Sequence, residues 1–177
     1  DLHVGCRRQR QMCIRDRFKA KICNINIANT IRELKSVSFD HVFMNPPYFK
    51  QNSVKESHTL SSHQARVESM PLSAWISVAK NRCKPNGKIT VIQRVERLPD
   101  IIKCLDGYFG QVTVQPISSF KDTSPKTVIV QATKTSGAAF KLLAPKIVHR
   151  RDGISGKVVY EDEFKKILRY GHPLQLN

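Results

Sequence analysis

FDHVFMNPPY, residues 39–48, is the stretch on which the fold turns. Its first six residues, 39–44, hold two phenylalanines, a valine and a methionine, and predict a buried strand. Asn45-Pro46-Pro47 ends that strand, because proline cannot donate to the ladder of a central strand and the chain must turn there. The turn then stands at the carboxyl end of the strand, which is where ligands sit in open parallel α/β sheets. Asn45, Pro46, Pro47 and Tyr48 are therefore the candidate chemistry-bearing residues. The plain alternative is that the prolines only break a strand, with Asn45 capping the turn and Tyr48 a half-buried aromatic.

Working outward, residues 49–70 are polar and without sustained periodicity, and predict a loop of the length that usually has a function or moves. A helix follows from Leu72 or Ser73, since Leu72, Ile76, Ala79 and Cys83 form one apolar stripe and Pro85-Asn86-Gly87 is a stop signal. Residues 88–93 (KITVIQ) predict the next strand, rich in β-branched side chains. Strand, helix and strand in that order imply a parallel pair joined by a right-handed crossover. A short helix is expected at 99–104 and strands at 111–117 and 126–133. No helical pattern joins those two strands, which predicts an antiparallel hairpin at the sheet edge. An apolar-basic stretch at 140–149, a glycine-containing turn at 152–156 and a helix at 160–170 complete the chain. Upstream, 21–27 alternates like a strand and 31–37 is a turn of helix or a connection.

The first seventeen residues, DLHVGCRRQRQMCIRDR, show neither strand nor helix periodicity. They are expected to be an arginine-rich arm or a disordered tail. RRQRQMCIRD also resembles a translated sequencing-adapter fragment, which would make the segment non-native. The expected division is 1–17 as non-native or disordered and 18–177 as the folded part. The 177 residues carry 30 Lys+Arg against 14 Asp+Glu, a formal charge of +16. Setting the first seventeen aside leaves +13, so the basic character belongs to the body of the chain. Such a balance points to a polyanionic partner, nucleic acid first. Five cysteines with no C-x-x-C pair indicate neither a disulfide framework nor a zinc site. His58 and His63, five apart, do not share a helix face as a metal pair needs, and no metal is expected. No apolar run approaches the roughly 18–20 residues of a bilayer-spanning helix. The expectation is a cytoplasmic, monomeric chain with no membrane partner.

A tetrapeptide of this kind has a specific chemical use. An amino group on an aromatic ring, or an amide nitrogen, is a poor nucleophile because its lone pair is delocalised. The Asn45 side-chain carbonyl and the Pro46 main-chain carbonyl can each accept a hydrogen bond from that NH₂, favouring a tetrahedral nitrogen aimed at an electrophile. Proline fixes the backbone and has no N–H of its own. Tyr48 can stack on the planar group, a contact worth about 1–3 kcal/mol for a base on an aromatic ring.

FDHVFMNPPYF resembles motif IV of the class I S-adenosylmethionine-dependent methyltransferases that modify amino nitrogens. LSAWISVAKNRCKPNGKITVIQR (72–94), PKTVIVQATK (125–134) and VHRRDGISGKVVYEDEFKKIL (148–168) are similar to one branch, the bacterial tRNA(Val) (adenine-N6) methyltransferases. The likeness spans about residues 21–168. It implies an α/β fold, a partial Rossmann-like sheet of about the family's strands 3 to 7, mostly parallel with an antiparallel C-terminal hairpin. It also implies S-adenosylmethionine as methyl donor and tRNA or another structured RNA as substrate. Asn45, Pro46, Pro47 and Tyr48 would be catalytic, with Phe49 helping to stack the base.

The departures are equally specific. The family's glycine-rich turn and the acidic residue that holds the cofactor ribose have no counterpart, since none of the eight glycines forms a G-x-G. Where an aspartate often lies near the cofactor's adenine there are only Asn24 and Asn26, the remaining cofactor-binding candidates. The expectation is the C-terminal two-thirds of such an enzyme, binding its cofactor weakly or not at all, with the sheet edge of its first strand open. NPPY also serves methyltransferases acting on a glutamine amide or on guanine N2. The positive charge, with Lys50, Lys55 and Arg66 in the long loop and Lys146, Arg150 and Arg151 near the C-terminus, favours a phosphate backbone. A non-catalytic basic RNA-binding module is the alternative from another class.

Overall fold

The computed structural model describes residues 36–48 and 70–176. The strand expected at 39–44 forms as β1 (Phe39–Met44). After it come α1 (Leu72–Arg82), β2 (Cys83–Arg94), a 3₁₀ turn at Val95–Arg97, α2 (Leu98–Leu105), β3 (Phe109–Ser118) and β4 (Thr127–Lys134). Each expected element in this region is present, with bounds that differ by up to a few residues from those expected. The strand expected at 21–27, most of the stretches 31–37 and 49–70, and residues 1–17 lie outside the described residues.

β1 and β2 are parallel, and β4 is antiparallel both to β2 and to β3. The strand order is therefore β1-β2-β4-β3, with β1, β2 and β3 running one way and β4 opposed. The antiparallel hairpin is where the sequence places it, but its second strand is interior and not at the edge. Val130 of β4 stands between Val91 of β2 and Val114 of β3, all fully buried, so insertion of β4 completes the apolar layer. Two short strands, β5 (Lys141–Leu142) and β6 (Lys146–Ile147), then pair in parallel with β3.

One face of the sheet carries the core. Ile89, Val91, Val114, Val128, Val130 and Ala132 alternate along their strands and pack with Leu72, Ile76 and Ala79 of α1 and Ile101 and Leu105 of α2. The helix spacing puts one stripe of each helix on the sheet, and each fully buried aliphatic side chain contributes about 1.5–3 kcal/mol.

Two expectations are corrected. β1 is not a buried strand: Phe39 and Phe43 are 38% and 62% exposed, and Met44 is its one buried side chain. Among the described residues β1 pairs with β2 alone. Nor does Pro85-Asn86-Gly87 end the helix. α1 stops at Arg82, where Lys134 Nζ donates to the carbonyl oxygens of Lys80 (2.8 Å) and Cys83 (2.7 Å). A cation there satisfies carbonyls that the helix leaves open. The Pro-Asn-Gly triplet becomes an irregularity inside β2, with Asn86 at φ 60° and the register slipping between Phe39 and His41. Gly87 is required for that close approach, because a Cβ there would lie 2.8 Å from Cys83 Sγ and 2.9 Å from the Lys84 carbonyl oxygen.

The C-terminal part is a small two-stranded sheet, β7 (His149–Arg151) with β8 (Val158–Tyr160), followed by α3 (Asp162–Tyr170). Asp152 builds the turn between the strands. Its carboxylate accepts from the backbone N–H of Ile154 and Ser155 and from the Ser155 hydroxyl, which holds its pKa below the usual aspartate value.

Candidate active site

Met44 is the partner of Val91 in the β1–β2 ladder, so Asn45 leaves the sheet beside Ile92 and the prolines reach the level of Gln93. Asn45 is exposed, Pro46 fully buried, and Pro47 and Tyr48 half-buried. The four residues thus present one open polar side chain on a turn whose backbone is anchored in the protein. All four lie at the carboxyl end of three strands of common direction, since Arg94 ends β2 and Ser118 ends β3 at the same edge.

The anchor is a residue that reasoning from the sequence missed. The Gln93 side chain is completely buried, and its Nε2 donates to the Pro47 carbonyl oxygen at 3.0 Å and to that of Pro46 at 3.4 Å. Its Oε1 accepts from the Arg94 backbone N–H at 2.9 Å. That set of partners fixes the orientation of the amide, because carbonyls demand a donor and an N–H demands an acceptor. A buried amide at the end of an otherwise apolar strand, KITVIQ, was the available signal.

Two further features border this edge. A crossover helix between parallel strands runs back along them, so the first turn of α1 starts at the carboxyl end. There Trp75 Nε1 is buried with no hydrogen-bond partner among the described residues. At the end of β2, Arg94 binds both carboxylate oxygens of Glu96, at 3.1 and 2.8 Å, and holds that carboxyl below its ordinary pKa. Arg97, largely buried, donates to Asp100 at 2.9 Å.

Of the other expected site residues, Phe49, Lys50, Lys55 and Arg66 lie outside the described residues, as do Asn24 and Asn26. The basic residues near the C-terminus are placed at the far side of the same edge. Lys146 Nζ donates to Glu163 at 2.6 Å, Arg150 lies 3.7 Å from Glu161, and Arg151 stands over the Phe120 ring at 6.0 Å. Among the described residues no three or more His, Cys, Asp or Glu side chains converge as a metal site requires. No helix among them is long and apolar enough to cross a membrane.

No family model matches the chain, and no curated protein does. Solved structures do match. A predicted O-methyltransferase from Agrobacterium tumefaciens superposes with a TM-score of 0.59 at 21% identity, over 78% of this chain and 56% of that one. The chain therefore spans little more than half the length of that structure. M1.HpyAVI is a looser match. Its complex with SAM has a TM-score of 0.42 at 13% identity, over 77% of this chain and 61% of that one. A second M1.HpyAVI structure gives 0.42 at 12%, over 72% and 68%. Sheet order, helix placement and the Agrobacterium match together show a mixed α/β, Rossmann-like fold of the kind seen in that methyltransferase structure.

Proposed function

We propose that the parent protein, of which this chain would be the C-terminal two-thirds and inactive by itself, transfers a methyl group from S-adenosylmethionine to the exocyclic N6 amino group of an adenine in tRNA. The observation that carries this reading is the position of Asn45-Pro46-Pro47-Tyr48 at the carboxyl end of β1, with its backbone held by the buried Gln93 amide. The bound donor would supply an electrophilic methyl group on a sulfonium. The chain's own residues do the rest. The exposed Asn45 side-chain carbonyl and the Pro46 main-chain carbonyl accept hydrogen bonds from the adenine NH₂, turning its lone pair out of conjugation. Tyr48 stacks on the base. Rate then comes mainly from positioning, which rewards a rigid turn. A carbonyl oxygen has two lone pairs, and that of Pro46 accepts one bond from Gln93, which leaves one for substrate.

The described residues fit the acceptor side of such a site. They include no glycine-rich turn for the cofactor's adenosine, the sequence holds no G-x-G, and Asn24 and Asn26 lie outside them. The net charge of +16 supports a second reading, a basic RNA-binding module without catalysis. One experiment separates the two. The protein expressed from its complete gene is incubated with labelled S-adenosylmethionine and unmodified tRNA, and the digested nucleosides are analysed. N6-methyladenosine that disappears in Asn45→Ala supports the enzyme. Its absence with the unaltered protein, alongside tRNA binding, supports the module. N2-methylguanosine in place of N6-methyladenosine would reassign the substrate.

A further inference from the structure

We infer that the cleft between the β3–β4 loop and β7 is a second contact for nucleic acid, taking one unstacked nucleotide of the substrate strand a few nucleotides along from the target base. This rests on the nucleic-acid reading above and names where the strand would run. The cleft has a volume of about 370 Å³, at the low end of the range for small-ligand sites. Phe120, Lys121, His149, Arg150 and Arg151 line it, together with the acidic Asp122 and Glu161.

Two rings, Phe120 and His149, line it, and Tyr160 backs His149 from outside the lining. His149 stacks on Tyr160 at 5.0 Å between centroids and 29° between planes, and Phe120 lies 5.8 Å from His149. These rings are not core: Phe120 and His149 are half-buried and Tyr160 is 40% exposed. The Arg151 guanidinium sits 6.0 Å from the Phe120 centroid, within cation–π range. Glu161 offsets Arg150 at 3.7 Å, which leaves Lys121 and Arg151, both exposed, as the cations best placed for a phosphate. Aromatic faces interleaved with Arg and Lys are the combination that binds single strands, the rings taking bases and the cations the backbone.

The frame of the site is held by the backbone. His149 N–H donates to the Ser119 carbonyl oxygen and Val148 N–H to that of Ser118, both at 2.9 Å, which fastens β7 to the end of β3. The Thr123 hydroxyl donates to the Phe120 carbonyl oxygen at 2.8 Å and closes the loop that presents the ring. β3 ends at the same sheet edge as β1, and the path from β1 through β2, β4 and β3 to β6 is four strand steps. At about 4.8 Å a step the cleft lies roughly 19 Å from Asn45. That distance excludes the target base itself and suits a nucleotide farther along an extended strand.

The test measures binding of the whole 177-residue chain to a fluorescent single-stranded RNA, with an abasic strand of equal length and an acidic peptide as further probes. Phe120→Leu keeps the apolar bulk and removes the π-face. It is expected to weaken RNA binding roughly 5- to 100-fold and leave the abasic strand unaffected. Arg151→Ala, at an exposed side chain that folding does not need, should weaken both strands and lower the salt dependence of log K by about one phosphate's worth. The inference is overturned if both variants bind RNA as the parent does, or if Phe120→Leu weakens the two strands equally. It is also overturned if the parent chain binds no RNA, or binds the peptide as tightly with the same loss in Phe120→Leu. N6-methyladenosine formation is a separate measurement, so failure of the cleft and failure of the methyl-transfer reading are told apart.

Discussion

Replacing Gln93 tests whether the tetrapeptide is held from below. Gln93→Leu preserves most of the volume and removes three hydrogen bonds, to the carbonyls of Pro47 and Pro46 and from the Arg94 N–H. A buried group left without its partner costs about 1–3 kcal/mol, and a hydrogen bond that water can replace about 1 kcal/mol or less. Pro46 is fully buried but its bond is long, whereas Pro47 and Arg94 are half-buried and water can reach them. The sum is about 2 kcal/mol, or a fall in Tm of roughly 4–8 °C for a domain of this size. Urea unfolding followed by circular dichroism reads the loss directly. Gln93→Glu adds a sign. Burial beside two carbonyl oxygens raises the folded-state pKa of the introduced carboxyl above its unfolded value. The variant therefore keeps its stability below about pH 4, where the protonated carboxyl still donates, and loses it as pH rises through the folded pKa. Should Gln93→Leu match the parent within about 0.5 kcal/mol, or Gln93→Glu show no such pH trend, the anchoring role of Gln93 would be refuted.

Gly110→Ala is expected to destabilise by more than the about 1–3 kcal/mol of ordinary overpacking, since its Cβ would overlap the Ser136 backbone carbonyl; a thermal melt checks it. The Asp152 turn should loosen with acid. Its folded pKa is depressed, so its contribution is present above the unfolded value near pH 4 and is lost as pH falls through the folded one. Protection of the Ile154 and Ser155 amides, relative to their intrinsic exchange rates at each pH, should fall there in the parent, whereas in Asp152→Ala it should be low throughout. Burial raises the Cys83 thiol pKa and leaves the side chain 2% exposed, so native alkylation mapped by mass spectrometry should spare Cys83 until denaturant is added. Calorimetry of the 177-residue chain with S-adenosylmethionine should show no micromolar binding, because no G-x-G turn is present to cradle the adenosine.

The chemical heart of this protein was legible in one dimension. FDHVFM followed by NPP specifies a strand and its end through β-propensity and the missing proline N–H, and those are local effects that no tertiary context has to supply. Leu72, Ile76 and Ala79 likewise announce a helix stripe, and KTVIVQAT a strand. What the chain could not disclose is everything that depends on which strand lies beside which. β4 sits between β2 and β3 because its valines complete a layer drawn from three separate segments. The exposure of Phe39 and Phe43 was hidden because which faces of a strand are covered is a property of the sheet, and FDHVFM reads the same either way. The Pro-Asn-Gly triplet misled for the same reason. A lysine fifty residues away supplies the helix cap, and the triplet is then taken into a strand. Gln93 is the sharpest case. In sequence it is a polar residue at the end of an apolar run, and only the parallel register of β1 and β2 brings its amide under the two proline carbonyls. Sequence determined the motif through backbone sterics and periodicity. Tertiary structure decided its support, because hydrogen-bond partners for a buried amide come from whichever strand folding places alongside.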